Sequence, residues 1–429
     1  MKQTSTLSQP SFLDWALAVA VVVLSPVLLF PEPGRLPILF LLPVVLLVRW
    51  MKTRTVLPRT PLDWAILVLA IEVAATCLFV SDLPFSLTKV TVALFGLLVF
   101  YTLVLLLRTE RFIRIGINFY AAAGVVLAIV GILGVGRHSE PKYIPFLYRL
   151  LKAVPSVNFN LPGAEKGFHP NALGGGLVMI FPLCFVLLLG SWEKSGGGWK
   201  RRFFFSAGFA VMGTVLLLIQ SRSSFAGIYF AAWLLLFTAL RKKRLAAVIV
   251  TVVMISLVVG IFRMAGSDRV PYTDLESRNK LVGRVIKFWE PALEAIHDHP
   301  VFGIGLNNAR LVPTVGMEQA HFHNQFLQTA AELGLPGLVA YLAILFGAAA
   351  MCFHVWKRSA SSFMRRAVLG LGGGQLALFV FGFLDAIPLG SKVGILFWIS
   401  LALITSVYVF TIHTEGKTGG HDPAAREVG

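Results

Sequence analysis

Long apolar runs separated by short polar breaks fill most of the chain, and their lengths set the first expectation. A helix needs about 20 apolar residues to cross a bilayer. Twelve stretches reach or approach that length: about 13–30, 36–50, 62–80, 87–107, 114–135, 170–190, 203–220, 223–240, 245–262, 335–356, 366–386 and 392–412. The second is short and carries Pro37 and Pro43, so it is expected to be tilted, broken or paired tightly with the first. Two polar interruptions, 136–169 and 263–334, are far longer than the others. The pattern predicts an all-α polytopic membrane protein of about twelve transmembrane helices, with a large, partly helical loop between spans nine and ten. Residues 1–262 hold spans one to nine, 263–334 the large loop, 335–412 spans ten to twelve, and 413–429 a polar tail.

Composition agrees with that pattern. Of 429 residues 56% are hydrophobic and 14% charged, with a mean hydropathy of +0.78. Soluble domains carry about 25% charged residues. The net charge of +17 does not call for nucleic acid, because the basic residues alternate between loops. With the N-terminus inside, the short inner loops hold groups such as Arg108, Arg111 and Arg114, or Arg241, Lys242, Lys243 and Arg244. The short outer loops hold one basic residue each: Arg35, Lys89, Arg222 and Lys392. Such a bias sets topology, so both termini are expected in the cytoplasm and both long loops outside it. Cys77, Cys184 and Cys352 all fall in apolar runs and read as buried thiols rather than a disulfide framework. No small-residue cleavage site follows the first run, which is expected to stay as an anchor.

The first long loop has five basic and two acidic residues. Its IPFLYRLLKAV portion is amphipathic and can lie on the outer leaflet, where a basic surface suits an anionic head group. A simple capping loop reads equally well. Span six opens on His169-Pro170-Asn171, with Asn171 the expected helix cap, followed by Gly174, Gly175 and Gly176. These features fit close helix packing as well as contact with a ligand. Gln220-Ser221-Arg222-Ser223-Ser224 makes a very short turn that sets an arginine and capping hydroxyls at a helix N-terminus. Free amides, the helix dipole and a guanidinium make an anion site. The alternative is an arginine that snorkels to water.

The large loop is nearly neutral, with seven basic and eight acidic side chains. From Arg284 onward Val285, Trp289, Leu293 and Ile296 recur at helical spacing, and Pro291 must kink or restart that helix. A turn, Gly303-Ile304-Gly305-Leu306-Asn307-Asn308, comes next, and His321-Phe322-His323-Asn324 stands before the following apolar run. Histidine is the side chain suited to accept a proton near neutral pH. The pairs His297/His299 and His321/His323 offer four imidazoles, but they lack the i, i+4 spacing of a helical zinc site and have no cysteine partners, so no metal is expected.

These motifs together resemble the O-antigen ligase and polymerase superfamily of bacterial envelope enzymes. The resemblance rests on SRSS between two late spans, on RVIKFWEPALEAIHDHPVFGIGLNN, on HFHNQFLQTAAELGLPGL, and on about twelve spans with one large late loop. It covers about residues 85–400 and is densest over 220–340. It implies a GT-C-like glycosyltransferase of the bacterial inner membrane with a periplasmic active site. The donor it implies is a polysaccharide on undecaprenyl diphosphate. In the ligase branch the acceptor is a sugar hydroxyl of the lipid A core, and the reaction is metal-independent and inverting, with no cofactor. Position by position, the resemblance assigns His323 as catalytic histidine and Arg222 and Arg284 as diphosphate ligands. Around them His321, Asn324, Arg278, Lys287, Ser221, Ser223, His169 and Asn171 are expected to bind substrate. Arg278 and Lys287 are near enough to compete with Arg284 for its role.

The same motifs serve a polymerase of O-antigen or exopolysaccharide, which uses a second carrier-linked glycan as acceptor. A protein-directed oligosaccharide transferase is a third reading, disfavoured by the short tail after span twelve. From outside the enzymes, a twelve-span transporter would show internal duplication and charged or broken helices at midplane. No six-plus-six repeat is visible, and Glu72 and Asp385 are the few candidate charges, near span ends or faces.

Overall fold

The computed structural model describes residues 9–31, 41–80, 83–135, 144–159, 167–192, 198–240, 285–313, 315 and 321–418, with short helical pieces between 245 and 256. Arg278, Arg284, most of the expected ninth span and the tail beyond 418 lie outside these residues.

Among the described residues all regular structure is helical, with one isolated bridge between Val135 and Phe168. The helices are α1 (Phe12–Leu29), α2 (Leu41–Thr53), α3 (Asp63–Phe79), α4 (Leu83–Leu106), α5 (Glu110–Gly134), α6 (Pro145–Ala153), α7 (Pro170–Ser191), α8 (Trp199–Ile219) and α9 (Arg222–Leu240). A π turn (Val285–Trp289) leads into α10 (Glu290–Asp298), and a 3₁₀ turn (Asn308–Leu311) precedes α11 (Gln325–Arg358), α12 (Ser362–Gly382) and α13 (Ile395–Thr418). Local chemistry starts several of them. Ser11 and Asp14 form a reciprocal capping box on α1, Thr109 caps α5, and Ser361 caps α12.

Among the described residues seven helices are long and apolar enough to cross a membrane: α1, α4, α5, α7, α8, α11 and α13, with a shorter apolar stretch in α9. The protein is therefore a multi-pass membrane protein. α2, α3 and α12 occupy three more of the twelve expected positions without meeting that standard. Pro43 lies within α2, whereas Pro37 lies outside the described residues. Residues such as Val22, Phe119, Phe203 and Val339 leave the helices with exposed apolar faces, the surface that hydrocarbon covers.

The centre of the bundle is α7 packed against α12. A Cβ at Gly374 would stand 2.1 Å from the Met179 carbonyl oxygen, so the two backbones touch there and only glycine fits. Close van der Waals approach of this kind holds helices together in lipid. Asn171 at the start of α7 meets Asp385 beyond the end of α12, and Gly190 at the end of α7 meets Arg366 near the start of α12. The pair is therefore antiparallel, and each end of it gathers a different set of charges.

α11 is interrupted at Gly334, whose φ of 69° lies in the left-handed region, and Pro336 follows. The break exposes carbonyls that need new donors. The 300–305 turn supplies them: Ile304 N–H donates to Ala331 O at 2.8 Å and Gly305 N–H to Glu332 O at 3.0 Å. In return Leu335 N–H donates to Pro300 O at 2.8 Å. The HPVFGIG and ELGLPG stretches are thus one interlocked unit, and the GxG serves a turn that completes a broken helix.

Candidate functional site

The HFHNQ stretch organises the site because each residue in it has a separate task. Phe322 is fully buried with Ala292, Ala295, Ala309 and Ala331, and its N–H donates to Gln328 Oε1 at 2.8 Å. Asn324 caps α11, its Oδ1 accepting the amides of Phe326 at 2.9 Å and Leu327 at 3.1 Å. Gln325 Oε1 accepts Ile387 N–H at 2.8 Å, which ties the loop after α12 to the start of α11. With Phe322 anchored inward, His321 and His323 share one side, their rings 4.4 Å apart. His323 has a φ of 52°, a left-handed conformation held by these flanking bonds and by its own N–H donating to His321 Nδ1 at 3.2 Å.

Asp385 completes the cluster. It is 1% exposed, and its Oδ1 lies 3.1 Å from His323 Nδ1 and 3.5 Å from His321 Nδ1. Ala386 N–H donates to Oδ1 at 2.9 Å, and Asn171 Nδ2 donates to Oδ2. Burial would raise the carboxyl pKa, but the His323 hydrogen bond, the two imidazoles and the Ala386 amide together hold it below the usual range. An ionised Asp385 makes His323 Nδ1 the donor, which puts the basic lone pair on Nε2. His321 is pushed down to about 4, chiefly by burial and against the pull of Asp385, so near neutral pH it is uncharged. The arrangement can position one imidazole as a general base and stabilise it once protonated.

The remaining expected residues are distributed around this cluster. The π turn sets the Phe288 ring edge-on to His323 at 4.8 Å, and Lys287 Nζ lies 5.5 Å from the centre of the Phe288 ring. Pro291 sits in the first turn of α10, so the helix restarts there as expected. The buried face, however, is Pro291, Ala292 and Ala295; Leu293 of the expected apolar stripe is exposed. The cap of α7 is His169 rather than Asn171: His169 Nδ1 accepts Asn171 N–H at 3.3 Å, which leaves the Asn171 amide to Asp385.

Arg222 is exposed at the first position of α9. Ser221 and Ser223 are buried, and Ser221 Oγ accepts the Ser224 hydroxyl at 2.9 Å within the turn. Gln220 adopts a left-handed conformation, and its side chain bonds both backbone groups of Ile144, fixing the turn to the start of α6. Ser224 packs on Gly174 in α7, so Arg222 stands at the same end of the bundle as the histidines. Of the other histidine pair, His297 is exposed beside Asp298 and His299 ends α10.

His321, His323 and Asp385 offer donor atoms within 4.8 Å of one another, a two-histidine, one-carboxylate set that could also hold a metal ion. Spacing along the chain could not suggest this set, because its third member is 62 residues beyond His323.

With this geometry in hand, comparison with known proteins is direct. The family model described as O-antigen ligase matches residues 207–342. Over those residues the chain is similar to the O-antigen ligase and polymerase superfamily. The match takes in Arg222, α10 and the HFHNQ stretch, but Asp385 lies beyond it. A Haemophilus influenzae protein described as uncharacterized is 29% identical over 94 residues, which is 20% of this chain. That similarity spans about a quarter (24%) of the relative's length. Asp385 is the candidate site residue that the sequence reading left out of the site. Its signal was available: it is the lone carboxylate between Glu332 and Glu415, a charge at the end of an apolar span.

Proposed function

We propose that the protein is an O-antigen ligase that transfers a polysaccharide from undecaprenyl diphosphate to a sugar hydroxyl of the lipid A core. The observation carrying this reading is the His323–Asp385 pair at the start of α11, whose histidine lies in the segment similar to the family. His323 Nε2 takes the proton of the acceptor hydroxyl as that oxygen attacks the anomeric carbon. The bond from that carbon to the diphosphate oxygen breaks, and the carrier diphosphate leaves with the electron pair. Direct displacement inverts the anomeric centre. Asp385 stays ionised and stabilises the imidazolium.

Arg222 and Arg284 take the charge developing on the diphosphate, a task for which paired guanidiniums can replace a divalent metal. Lys287, His321 and the α7 start (His169, Asn171) surround the same region and contact substrate directly or through Asp385, and Arg278 is proposed as a further substrate ligand. Lateral access between helices admits two lipid-borne substrates, which gives a reason for placing this site in a helical bundle. The distribution of basic residues supports cytoplasmic termini and a periplasmic site in the bacterial inner membrane. Twelve spans remain our reading of the full topology.

Gene deletion followed by lipopolysaccharide gel tests the assignment. Uncapped core with accumulated carrier-linked polymer is expected. Core carrying a single repeat unit would make the protein a polymerase, and normal lipopolysaccharide would remove both readings. Transfer that survives chelator supports the metal-free mechanism; loss restored by one divalent cation would move His321, His323 and Asp385 to a metal site.

A further inference from the structure

The turn between α8 and α9 places a side chain where glycine is usual. α8 ends at Gln220, whose φ of 48° and ψ of 43° lie in the left-handed region that glycine reaches without steric penalty. A glutamine held there needs a reason beyond the turn itself. Its side chain supplies one. Gln220 is 3% exposed, and its amide pairs with both backbone groups of one residue. Ile144 N–H donates to Oε1 at 2.9 Å, and Nε2 donates to Ile144 O at 3.3 Å. Ile144 stands just before α6, which is itself fixed on the bundle: Leu151 is buried, and Leu147 and Val154 pack against the core. The other side of the turn is held as firmly. A Cβ at Gly174 of α7 would stand 2.1 Å from Ser224 Oγ, and Ser224 donates to Ser221 Oγ at 2.9 Å. Arg222 lies between these two anchorages.

We propose that Gln220 is a positioning residue for Arg222, setting its guanidinium against the donor diphosphate by clamping the α8–α9 turn to α6. The inference rests on the assignment of Arg222 to that diphosphate. Arg222 is exposed at the first position of α9, so the backbone of the turn decides where its side chain starts. Held only at Gly174, the turn could pivot about Ser224. The Gln220 pair supplies a second point and removes that freedom. The end of α7 that meets Ser224 also carries Asn171, the donor to Asp385. Arg222 is thereby registered on the same helix end as the His323–Asp385 pair. Such registry matters, because a misplacement of about 1 Å in a positioning group can cost about 10²-fold in rate.

The test uses the full-length protein in bilayer nanodiscs, with the carrier-linked donor varied. Q220G keeps the backbone conformation, since glycine is at ease at this φ, and removes the side-chain clamp. It is expected to accumulate as the parent does and to exchange the Ile144 amide hydrogen faster. Its kcat/KM for the donor should fall by about tenfold, with KM for the acceptor unchanged. In the R222K background the same change should lower kcat/KM by less than about twofold, because both changes act on one group. Q220N tolerates this backbone but is one methylene too short for the clamp, and it serves the comparison if Q220G fails to accumulate. Parental donor kinetics in Q220G beside an impaired R222K would overturn the inference and leave the proposed function standing. Equal losses in the two backgrounds would mark general structural damage and overturn it too. Unaltered kinetics in R222K would remove the diphosphate assignment and the inference with it.

Discussion

The two ends of the α7–α12 pair are built from the same helices and hold opposite kinds of charge cluster. α7 has 22 residues, so the ends stand about 33 Å apart at 1.5 Å per residue, close to the thickness of a bilayer's hydrocarbon core. At the histidine end Asp385 is matched by donors on every side, and the cluster is a hydrogen-bonded relay with one carboxylate at its centre. At the arginine end two guanidiniums close α7 and two more stack on Phe363. The difference teaches how to separate chemistry from anchoring. A site that moves protons needs groups of opposite sign whose protonation states support one another, whereas guanidiniums that close a helix C-terminus and stack on a ring hold helices in place.

Variants can break or sharpen that contrast. The largest effect is expected from H323A, which removes the proposed base and should lower transfer by about 10²–10⁴-fold, measured on purified membranes with normal expression. Near-parental transfer would remove the histidine end from the chemistry. D385N keeps the shape but presents an amide, which can turn its N–H toward His323 and impose the wrong tautomer. Transfer should fall by roughly 10²-fold. Restoration in D385E, but not in D385N, would mark the carboxylate charge as the requirement.

R222K is expected to reduce transfer by about tenfold or more, since a charge-assisted hydrogen bond contributes about 1.5–3 kcal/mol and lysine cannot grip two oxygens at once. Unaltered kinetics in R222K would leave this arginine as a snorkelling residue.

The smallest effect concerns acid stability. His321 stays neutral in the fold down to about 4, while the unfolded chain takes up a proton near the ordinary value of 6.5. The unfolded state therefore binds more protons over that window, and stability is lost as pH falls from about 6.5 to about 4. H321Q should flatten that part of the pH profile of thermal unfolding. An unchanged slope would show that another group sets it.

Much of the histidine end was legible in the sequence because its pieces are local. HFHN before an apolar run marks a helix start, and QSRSS marks a tight turn with an arginine at its exit. What could not be read was the third partner, since the Asp385 contact depends on α12 running antiparallel to α7 and ending beside the start of α11. The cap of α7 was misread for a related reason. Asn171 is the better capping residue by type, but Asp385 draws its amide away and His169 takes the cap. The stripe expected on α10 failed at Leu293 because helical spacing marks a face without saying which neighbour covers it. Ala292 and Ala295 are buried in the cluster around Phe322, and Ile296 packs partly buried against it.

By itself the sequence determined what needs only the solvent: long apolar helices, because lipid leaves backbone amides no other partners, and the loops that interrupt them. It also carried the family resemblance, because the HFHNQ and GIGLNN stretches are local and lie within the matched residues 207–342. Only the tertiary structure decided which charges meet. It showed that the GxG turn repairs the break at Gly334, that Asp385 orients His323, and that Arg114 and Arg201 converge on Phe363. The reason is physical: apolar length is a property of one segment, whereas the stability of a buried charge depends on partners brought to it from elsewhere in the chain.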